Sequence, residues 1–307
     1  MWLFIFQMIK KDLQDVIEAV LGEKIQHISL KGKGYANNAY LVETVHSKKY
    51  VFKQERGDKL LDEQNSLFVE ANIIQELAKF DLLIPLPHVV FVSNHPDIYG
   101  YEYIDGIMMI DAWPTLSENV KIEICNLLGR FHAVIARAVS KHTAKSIGLT
   151  IDYSTSLHPE TAMQYSAILS SQDVPDEFKN LARKAMTIFE ETKDNCFFQF
   201  IHNDAHHENI LVKNDHIVGI IDFGDAEYGE IAKEFSRYIR DFPDYFIHII
   251  SSYEKESNHK LSHSRLITYS FLADLMDIVE AYRKNGEERV KATNKLNRYS
   301  DFIDVLC

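Results

Sequence analysis

The stretch that decides the fold is Phe200-Ile-His-Asn-Asp-Ala-His-His-Glu-Asn209, followed after a short interval by Ile221-Asp-Phe-Gly-Asp225. Apolar runs flank both polar segments: Cys196-Phe-Phe-Gln-Phe-Ile201, Ile210-Leu-Val212 and Ile217-Val-Gly-Ile-Ile221. Between the last two runs, Asn214 and Asp215 predict a turn because both residue types tolerate positive φ. The pattern therefore predicts a strand, a polar loop, a hairpin and a second polar loop, with the two loops close together.

Three polar residues of this stretch suit phosphoryl transfer. That reaction needs a carboxylate to orient the attacking hydroxyl, and a Mg²⁺ ion, held by carboxylate and amide oxygens, to neutralise charge on the phosphates. Asp204 is the candidate catalytic carboxylate, and Asn209 and Asp222 are the candidate metal ligands.

The same residues resemble the signature of the aminoglycoside phosphotransferase and choline kinase family of small-molecule kinases, which are relatives of the protein kinases. The signature is His-x-Asp-x-x-x-x-Asn followed by Asp-Phe-Gly or a variant. His202, Asp204, Asn209 and Asp222-Phe-Gly224 match it at each position. We expect His202 to brace the catalytic loop by hydrogen bonding.

The resemblance implies a two-lobed, protein-kinase-like α+β fold. Residues 1–104 would form a small, β-rich nucleotide-binding lobe, and residues 105–307 a larger, mainly helical lobe that carries catalysis and the acceptor site. A length of 307 residues and a hydrophobic content of 46% are sufficient for two such cores. The implied reaction is transfer of the γ-phosphate of ATP or GTP to a hydroxyl group, with Mg²⁺ as cofactor.

The small lobe of such a kinase needs a loop that covers the phosphates. The segment Lys31-Gly-Lys-Gly-Tyr-Ala-Asn-Asn38 lies between two predicted strands, residues 25–30 and 39–43. Gly32 and Gly34 would let backbone amides approach a phosphate. An ordinary hairpin turn accounts for the same two glycines, and their position in the chain favours the phosphate loop.

A lysine and a glutamate of the small lobe are also expected to act together. Lys53 lies in the alternating segment Lys49-Tyr-Val-Phe-Lys-Gln54, where the family has its phosphate-binding lysine. Glu70, in the helical segment 67–77, is expected to orient Lys53 through an ion pair. Glu63 and Glu76 are alternative partners.

The segment Ile98-Tyr-Gly-Tyr-Glu-Tyr-Ile-Asp-Gly106 resembles the last strand of the small lobe and the hinge that follows it. The resemblance implies that backbone groups of Glu102, Tyr103 and Ile104 bind the nucleotide base. Tyr101 would close the back of the base pocket, and its bulk predicts that GTP is used at least as well as ATP.

In the large lobe, helical periodicity recurs after the hinge. A capping box at Thr115-Leu-Ser-Glu118 precedes an amphipathic segment, residues 120–132. Three further helices are predicted over residues 175–186, 266–282 and 287–302.

The balance of charge and the cysteines restrict the partners and the compartment. A net charge of −12, from 45 acidic and 33 basic residues, argues against nucleic acid as a partner. Cys125, Cys196 and Cys307 lie far apart, which favours a reducing compartment, and we expect a cytoplasmic protein with no membrane partner. The apolar start, Met1 to Ile9, is too short to span a bilayer. Met8 is an alternative start.

Acidic residues that follow the second loop are candidates for recognising a cationic acceptor. The resemblance assigns Asp225 and Asp274 to amine recognition. Glu230 and Glu234 stand where the family has the aspartates of Gly-Asp-Pro-x-x-Asp-Leu, and they are weaker candidates. A solvated acidic surface that serves solubility explains this set of residues equally well.

The favoured function is therefore a kinase of a small, amine-bearing hydroxyl acceptor, most of all an aminoglycoside-like antibiotic. Macrolides, choline, homoserine and sugars are other possible acceptors. A non-catalytic pseudokinase is an alternative, although a scaffold would not need Lys53, Asp204, Asn209 and Asp222 together. A zinc hydrolase built on His202, Asp204, His206 and His207 is a further alternative, although the order of these residues differs from the common zinc pattern.

Overall fold

The computed structural model describes residues 13–33, 37–56, 65–95, 97–284 and 286–305. Its N-terminal region is a five-stranded antiparallel sheet with strand order β1-β2-β3-β5-β4. The strands are β1 (Ile25–Lys33), β2 (Asn37–Thr44), β3 (Lys49–Glu55), β4 (Val89–Asn94) and β5 (Asp97–Glu102). Gly34, Glu63 and the segment from Met1 to Ile9 lie outside the described residues.

The central strand β3 separates two apolar layers because its side chains alternate between the faces of the sheet. Phe52 packs in a small cluster with Leu13 and Ile17, which lie on the described part of helix α1 (residues 13–21). Val51 packs on the opposite face, in the main core. The alternation therefore puts Lys53 on the same face as Val51, towards the rest of the protein.

Helix α2 (Leu67–Leu77) packs on that inner face and is fixed at its first turn. Ser66 caps the helix by accepting a hydrogen bond from the Val69 amide, and the carboxylate of Asp97 accepts from the Leu67 and Phe68 amides at 2.9 Å each. Because Asp97 begins β5, these contacts fix the helix relative to the sheet. Glu70 follows directly, fully buried on the first turn.

The C-terminal region is mostly helical, as the sequence predicted. Its α-helices are α3 (Met109–Ala112), α4 (Glu118–Ala138), α5 (Lys141–Ser146), α6 (Pro159–Ser170), α7 (Asp176–Glu191), α8 (Ile231–Asp241), α9 (Phe246–Ser257), α10 (His263–Arg283) and α11 (Glu287–Val305). Two small sheets accompany them, made of β6 (Ile107–Met108), β8 (Ile210–Lys213) and β9 (His216–Ile220), and of β7 (Phe198–Ile201) and β10 (Glu227–Glu230). The predicted helices at 120–132, 175–186, 266–282 and 287–302 all form, with longer bounds.

The capping residue of α4 differs from the prediction. Ser117, and not Thr115, accepts the hydrogen bond from the Val120 amide. Thr115 lies in a short 3₁₀ turn, where its hydroxyl donates to the Ala112 carbonyl at 2.8 Å. A preceding turn that was not expected from the sequence therefore shifts the start of the helix.

Helix α4 packs against α9 at very short range. A Cβ atom added at Gly129 would lie 2.1 Å from the Ile249 carbonyl oxygen, so glycine is needed at this crossing. The close approach fixes α4 in the core, where His132 lies buried next to Tyr238 of α8.

None of the helices in the described part of the chain is long and apolar enough to cross a membrane. The predicted boundary between residues 104 and 105 falls in the connection from β5 to β6. It stays a prediction.

Candidate active site

The two polar loops lie side by side, as the flanking apolar runs predicted. Strand β7 leads into the first loop, and the β8–β9 hairpin connects it to the second. Asn214 and Asp215 form the hairpin turn with φ of 49° and 64°. The Ile221 amide donates to the Asn209 carbonyl at 3.0 Å, which joins the end of the first loop to the start of the second.

His202 joins the same two loops through its side chain. The imidazole is fully buried; its Nδ1 lies 3.2 Å from the Asp204 amide and its Nε2 lies 3.1 Å from the Ile221 carbonyl. Since the amide must donate and the carbonyl must accept, Nε2 carries the proton and the ring is neutral. Burial also lowers the pKa of His202, which favours the neutral form.

Asp204, the candidate catalytic carboxylate, is held by two side chains. Asn209 Nδ2 donates to Asp204 Oδ2 at 2.9 Å, and Arg237 Nη1 lies 3.1 Å from Asp204 Oδ1. His206 Nε2 is 3.5 Å from Oδ2, and the Asp204 carboxylate raises the pKa of that histidine. The carboxylate is therefore fixed in position, with one oxygen next to Asn209 and the other next to Arg237.

Lys53 lies between two carboxylates, one of them the predicted Glu70. Its Nζ is 2.8 Å from Glu70 Oε1 and 2.8 Å from Asp222 Oδ1. Although burial opposes the charged form, the two carboxylates raise the pKa of Lys53, so it stays protonated. The Tyr99 hydroxyl donates to Glu70 at 2.7 Å and the Phe223 amide donates to it at 3.2 Å. Glu70 thus holds Lys53 against the second loop.

Asp222 and Asn209 offer oxygen atoms that suit a magnesium ion. Asp222 has a φ of 69°, and its side chain keeps 45% of its surface exposed towards the cleft. Burial opposes its ionised form, but Lys53 holds the pKa of Asp222 below its ordinary value. Asn209 donates its amide nitrogen to Asp204, which leaves the amide oxygen as its ligand atom. One carboxylate and one amide oxygen beside a phosphate site are a typical partial ligand set for Mg²⁺.

A cavity of about 550 Å³ opens between the sheet and these loops. Lys53, Asp204, Asn209 and Asp222 line it, and so do Gly32 and the hinge residues Tyr103 and Ile104. Two of the expected backbone donors are already used, because the Glu102 amide donates to His88 and the Tyr103 amide donates to Lys49. Of the three hinge amides, which all lie in the described residues, the amide of Ile104 is the one that remains available to a ligand.

Tyr101 forms part of the wall of this cavity and is only 5% exposed. Its ring stacks on Tyr99 with a centroid distance of 5.7 Å, and Tyr99 is fixed by its bond to Glu70. Burial raises the pKa of Tyr101, so its hydroxyl stays neutral. A rigid, bulky side chain therefore lies where the sequence predicted the back of a base pocket.

A second cavity, of about 670 Å³, meets the first at Asp225, which lines both. Its charged lining contains the basic residues Lys233, Arg237 and Arg240 and the acidic residues Asp152, Asp225, Glu227 and Asp274. The two cavities therefore lie on either side of Asp225, and Asp204 lines the first of them.

Two predicted acceptor residues do not reach this cavity. Glu230 is 1% exposed and forms an ion pair with the guanidinium of Arg265. Glu234 is equally buried and accepts hydrogen bonds from the His202 and Asn203 amides at 2.6 and 2.9 Å. Neither carboxylate lines the cavity, so the structure gives no support to their assignment to the acceptor: Glu230 pairs with Arg265, and Glu234 binds the backbone of the first loop.

Asp274 lines the cavity but is already bound within the protein. Its Oδ2 accepts from the Tyr299 hydroxyl at 2.8 Å and lies 2.7 Å from Lys295 Nζ. The side chain is only 2% exposed. Of the four predicted acceptor carboxylates, Asp225 is thus the one at the junction of the two cavities.

Sequence reasoning missed the basic residues of the second cavity. Lys233, Arg237 and Arg240 are four and three residues apart on α8, so they share one helix face. That spacing is visible in the sequence, but nothing in the sequence indicates that this face of α8 borders the cavity.

The histidines of the first loop point to different partners. His202 is bonded to the loops themselves, His206 lies beside Asp204, and His207 Nδ1 is 3.0 Å from Asp241 Oδ2. Within the described ranges, no group of three or more His, Cys, Asp or Glu side chains is arranged to hold a metal ion. The geometry gives no support to the zinc hydrolase alternative.

Comparison with known proteins is consistent with this geometry. The family model described as "APH: Phosphotransferase enzyme family" matches residues 27–253. Curated protein sequences give no match.

Several solved structures superimpose on the chain. The GDP complex of aminoglycoside 2'-phosphotransferase-IIIa does so with a TM-score of 0.67 and 16% identity, over 97% of this chain and 98% of that one. Macrolide 2'-phosphotransferase MphH from Brachybacterium faecium gives 0.64 and 14%, over 93% and 98%. Spectinomycin phosphotransferase APH(9)-Ia, in complex with ADP and spectinomycin, gives 0.60 and 15%, over 95% and 93%. These similarities confirm the predicted kinase-like α+β fold.

Proposed function

Because this chain belongs to the APH phosphotransferase enzyme family, we propose that it transfers the γ-phosphate of ATP or GTP to a hydroxyl group of a small molecule. One observation carries the proposal: Lys53, Asp204, Asn209 and Asp222 meet in one cavity, and that cavity joins a second, larger one at Asp225. A phosphotransferase needs this arrangement, with the nucleotide on one side of the catalytic carboxylate and the acceptor on the other.

The nucleotide would bind in the cavity of about 550 Å³. Lys53 would contact its phosphates, since the lysine is charged and held in place by Glu70. Gly32 and the backbone of Ile104 line the same cavity and would bind the phosphates and the base. The chain shares its fold with structures described as complexes with GDP, ATP or ADP, which supports this proposal.

Asn209 and Asp222 would hold Mg²⁺ through the amide and carboxylate oxygens described above. The ion would neutralise charge on the phosphates during transfer. The acceptor hydroxyl would give its proton to Asp204 Oδ1 as its oxygen bonds to the γ-phosphorus. The bond from that phosphorus to the bridging oxygen would break, and a nucleoside diphosphate would leave.

The acceptor would occupy the cavity of about 670 Å³, beyond Asp225. Structures of similar fold are described as complexes with kanamycin, gentamicin or spectinomycin, which favours an amine-bearing acceptor of the aminoglycoside kind. Asp225 is the residue that we assign to an acceptor amine, because it lines both cavities. Residues 1–104 and 105–307 would act as the nucleotide-binding lobe and the acceptor-binding lobe.

The test is a transfer assay in which ³¹P NMR follows ATP or GTP with Mg²⁺ and a panel of cationic, neutral and anionic hydroxyl compounds. We expect a new phosphate ester with at least one class of acceptor. Asp204→Asn is the matched control, since it keeps the shape of the side chain and removes the carboxylate. If nucleotide binds but no ester exceeds the level of that control, the protein is a binding scaffold and not a kinase.

A further inference from the structure

The second cavity has a basic wall along helix α8. Lys233, Arg237 and Arg240 all line it, and their spacing of four and three residues puts them on one face of the helix. The chain as a whole carries a net charge of −12, so three basic side chains on one cavity wall contrast with its acidic composition.

The three cations differ in how they are neutralised. Lys233 Nζ lies 2.7 Å from Asp152 Oδ2 and 2.7 Å from Glu227 Oε1, so two carboxylates neutralise it. Arg237 has Asp204 as its ion-pair partner in the described structure, through one nitrogen at 3.1 Å, and its side chain is 32% exposed. Arg240 Nε contacts Asp241 Oδ1 at 3.1 Å, while its Nη1 is 3.8 Å from Asp274 Oδ1, beyond hydrogen-bond length.

The carboxylates near Arg240 are bound in part by other residues. Asp274 Oδ2 is bound by Tyr299 and Lys295, and Asp241 Oδ2 lies 3.0 Å from His207. Asp274 Oδ1, which faces Arg240, accepts no hydrogen bond within the described residues. Each guanidinium has five N–H donors. The contacts above use a minority of them, so most N–H groups of Arg237 and Arg240 remain available to a ligand in the cavity that both side chains line.

We propose that the acceptor carries, in addition to the amine assigned to Asp225, an anionic group close to the hydroxyl that is phosphorylated, and that Arg237 and Arg240 bind this group. The group would be a carboxylate or a phosphate ester. The inference rests on the proposed function. Arginine suits such a group because its planar fork matches both anions. A purely cationic acceptor would place its charge next to two guanidinium groups, whose repulsion would have to be offset by Asp225.

The position of Arg237 gives the anion a second effect. Arg237 pairs with Asp204 Oδ1, the oxygen that would receive the hydroxyl proton. An anion in the cavity offers Arg237 another partner, which frees Oδ1 to orient the hydroxyl. Binding of the correct acceptor and release of the catalytic carboxylate are thereby coupled.

The test uses four small compounds of similar size on the full protein: glycerate, glycerol 3-phosphate, glycerol and 2-amino-1,3-propanediol. The nucleotide cavity is first saturated with Mg²⁺ and a nonhydrolysable ATP or GTP analogue, so that the probes cannot bind there. Calorimetric titration at constant ionic strength then gives each dissociation constant. Failure of the analogue to bind would count against the proposed function, and it is seen before any probe is added.

We expect at least one anionic probe to bind about tenfold or more tightly than glycerol. Arg237→Gln and Arg240→Gln should each abolish most of that preference, and Arg237→Lys should restore only part of it, because lysine keeps the charge without the fork. Arg289→Gln is the control: it removes the same charge from α11, where Arg289 contacts Tyr282 and does not line the cavity.

The two anionic probes distinguish a carboxylate site from a phosphate site. The proposal is overturned if neither anion binds more tightly than glycerol, if the amine binds best, or if the anion preference survives both glutamine variants. None of these outcomes affects the transfer assay, so a kinase with a cationic or neutral acceptor would still be recognised.

Discussion

The two cavities that meet at Asp225 are built in different ways. On the nucleotide side, backbone contacts and one buried histidine fix the loops that carry Asp204, Asn209 and Asp222. On the acceptor side, ion pairs between side chains of distant segments line the cavity, such as Lys233 with Asp152 and Asp274 with Lys295. A local sequence pattern can encode the first kind of construction. The second kind depends on which helices meet.

Substitutions on the nucleotide side should lower turnover with every acceptor. The largest loss of turnover is expected for Asp204→Asn. The amide cannot take the hydroxyl proton, so turnover should fall by roughly two to four orders of magnitude. Nucleotide binding should persist, because Lys53 and Asp222 remain. Steady-state kinetics and nucleotide titration measure the two quantities. Near-normal turnover would remove Asp204 from the catalytic role.

Asp222→Ala should have the next largest effect. It removes the candidate carboxylate ligand of Mg²⁺ and one of the two partners of Lys53, so Mg²⁺-dependent nucleotide affinity should fall by about two orders of magnitude or more. Titration with ATP or GTP, with and without Mg²⁺, measures the loss. Glu76→Ala, at a partly buried position of α2 where the carboxylate pairs with Lys79, is the control. An unchanged Mg²⁺ dependence would show that Asp222 does not bind the metal.

The residues that could be predicted follow part of this division. Asp204, Asn209 and Asp222 lie on loops that a local pattern predicted. Lys53 and Glu70 form an ion-pair chain with Asp222 from a distant part of the sequence, and the resemblance to the kinase family predicted them. The acidic residues after the second loop could not be placed in the same way. Glu230 and Glu234 turn inward because Arg265 and the backbone of the catalytic loop bind them. Those partners are 35 and 32 residues away in the chain, and periodicity within one helix cannot indicate them.

The support of the first loop by Glu234 extends to His132, whose Nδ1 lies 3.8 Å from Glu234 Oε2, and this histidine can be tested through pH. Burial lowers the pKa of His132 to about 3, whereas an unfolded histidine titrates near 6.5. Between these values the unfolded state binds the extra proton, so stability is retained above about pH 6.5 and lost as the pH falls towards 3. The loss from this group approaches about 1.4 kcal/mol per pH unit.

Urea unfolding at pH 7.5 and at pH 5.0 measures that slope. His132→Phe should flatten it, even though the variant also loses the 2.6 Å contact with the Tyr238 hydroxyl and is less stable at both pH values. The exposed His142 of α5 provides the control, and His142→Gln should leave the slope as it is. An equal slope in His132→Phe and the unmodified protein would show that His132 does not resist protonation.

On the acceptor side, Asp225→Asn should have a smaller and more selective effect. If an acceptor amine pairs with this carboxylate, the KM for a cationic acceptor should rise by about tenfold and become less sensitive to salt. The KM for nucleotide should change little. Asp274→Asn should affect KM less than Asp225→Asn, because the Asp274 side chain is only 2% exposed, whereas Asp225 lines both cavities. Equal increases in the KM for nucleotide and in the KM for acceptor would show that Asp225 does not act selectively in acceptor binding.

The smallest effect is expected for substitution of Tyr101. This substitution tests whether the nucleotide cavity also controls the selectivity between ATP and GTP. Its ring is held by stacking on Tyr99, so it cannot readily move aside for a larger or differently placed base. We expect GTP to be used at least as well as ATP, and Tyr101→Ala to raise kcat/KM for ATP a few-fold relative to GTP. Tyr101→Phe is the matched control, since it keeps the ring and removes only the hydroxyl. The same ATP preference in the unmodified protein and in Tyr101→Ala would show that base selection depends on the hinge backbone around Ile104 and not on this side chain.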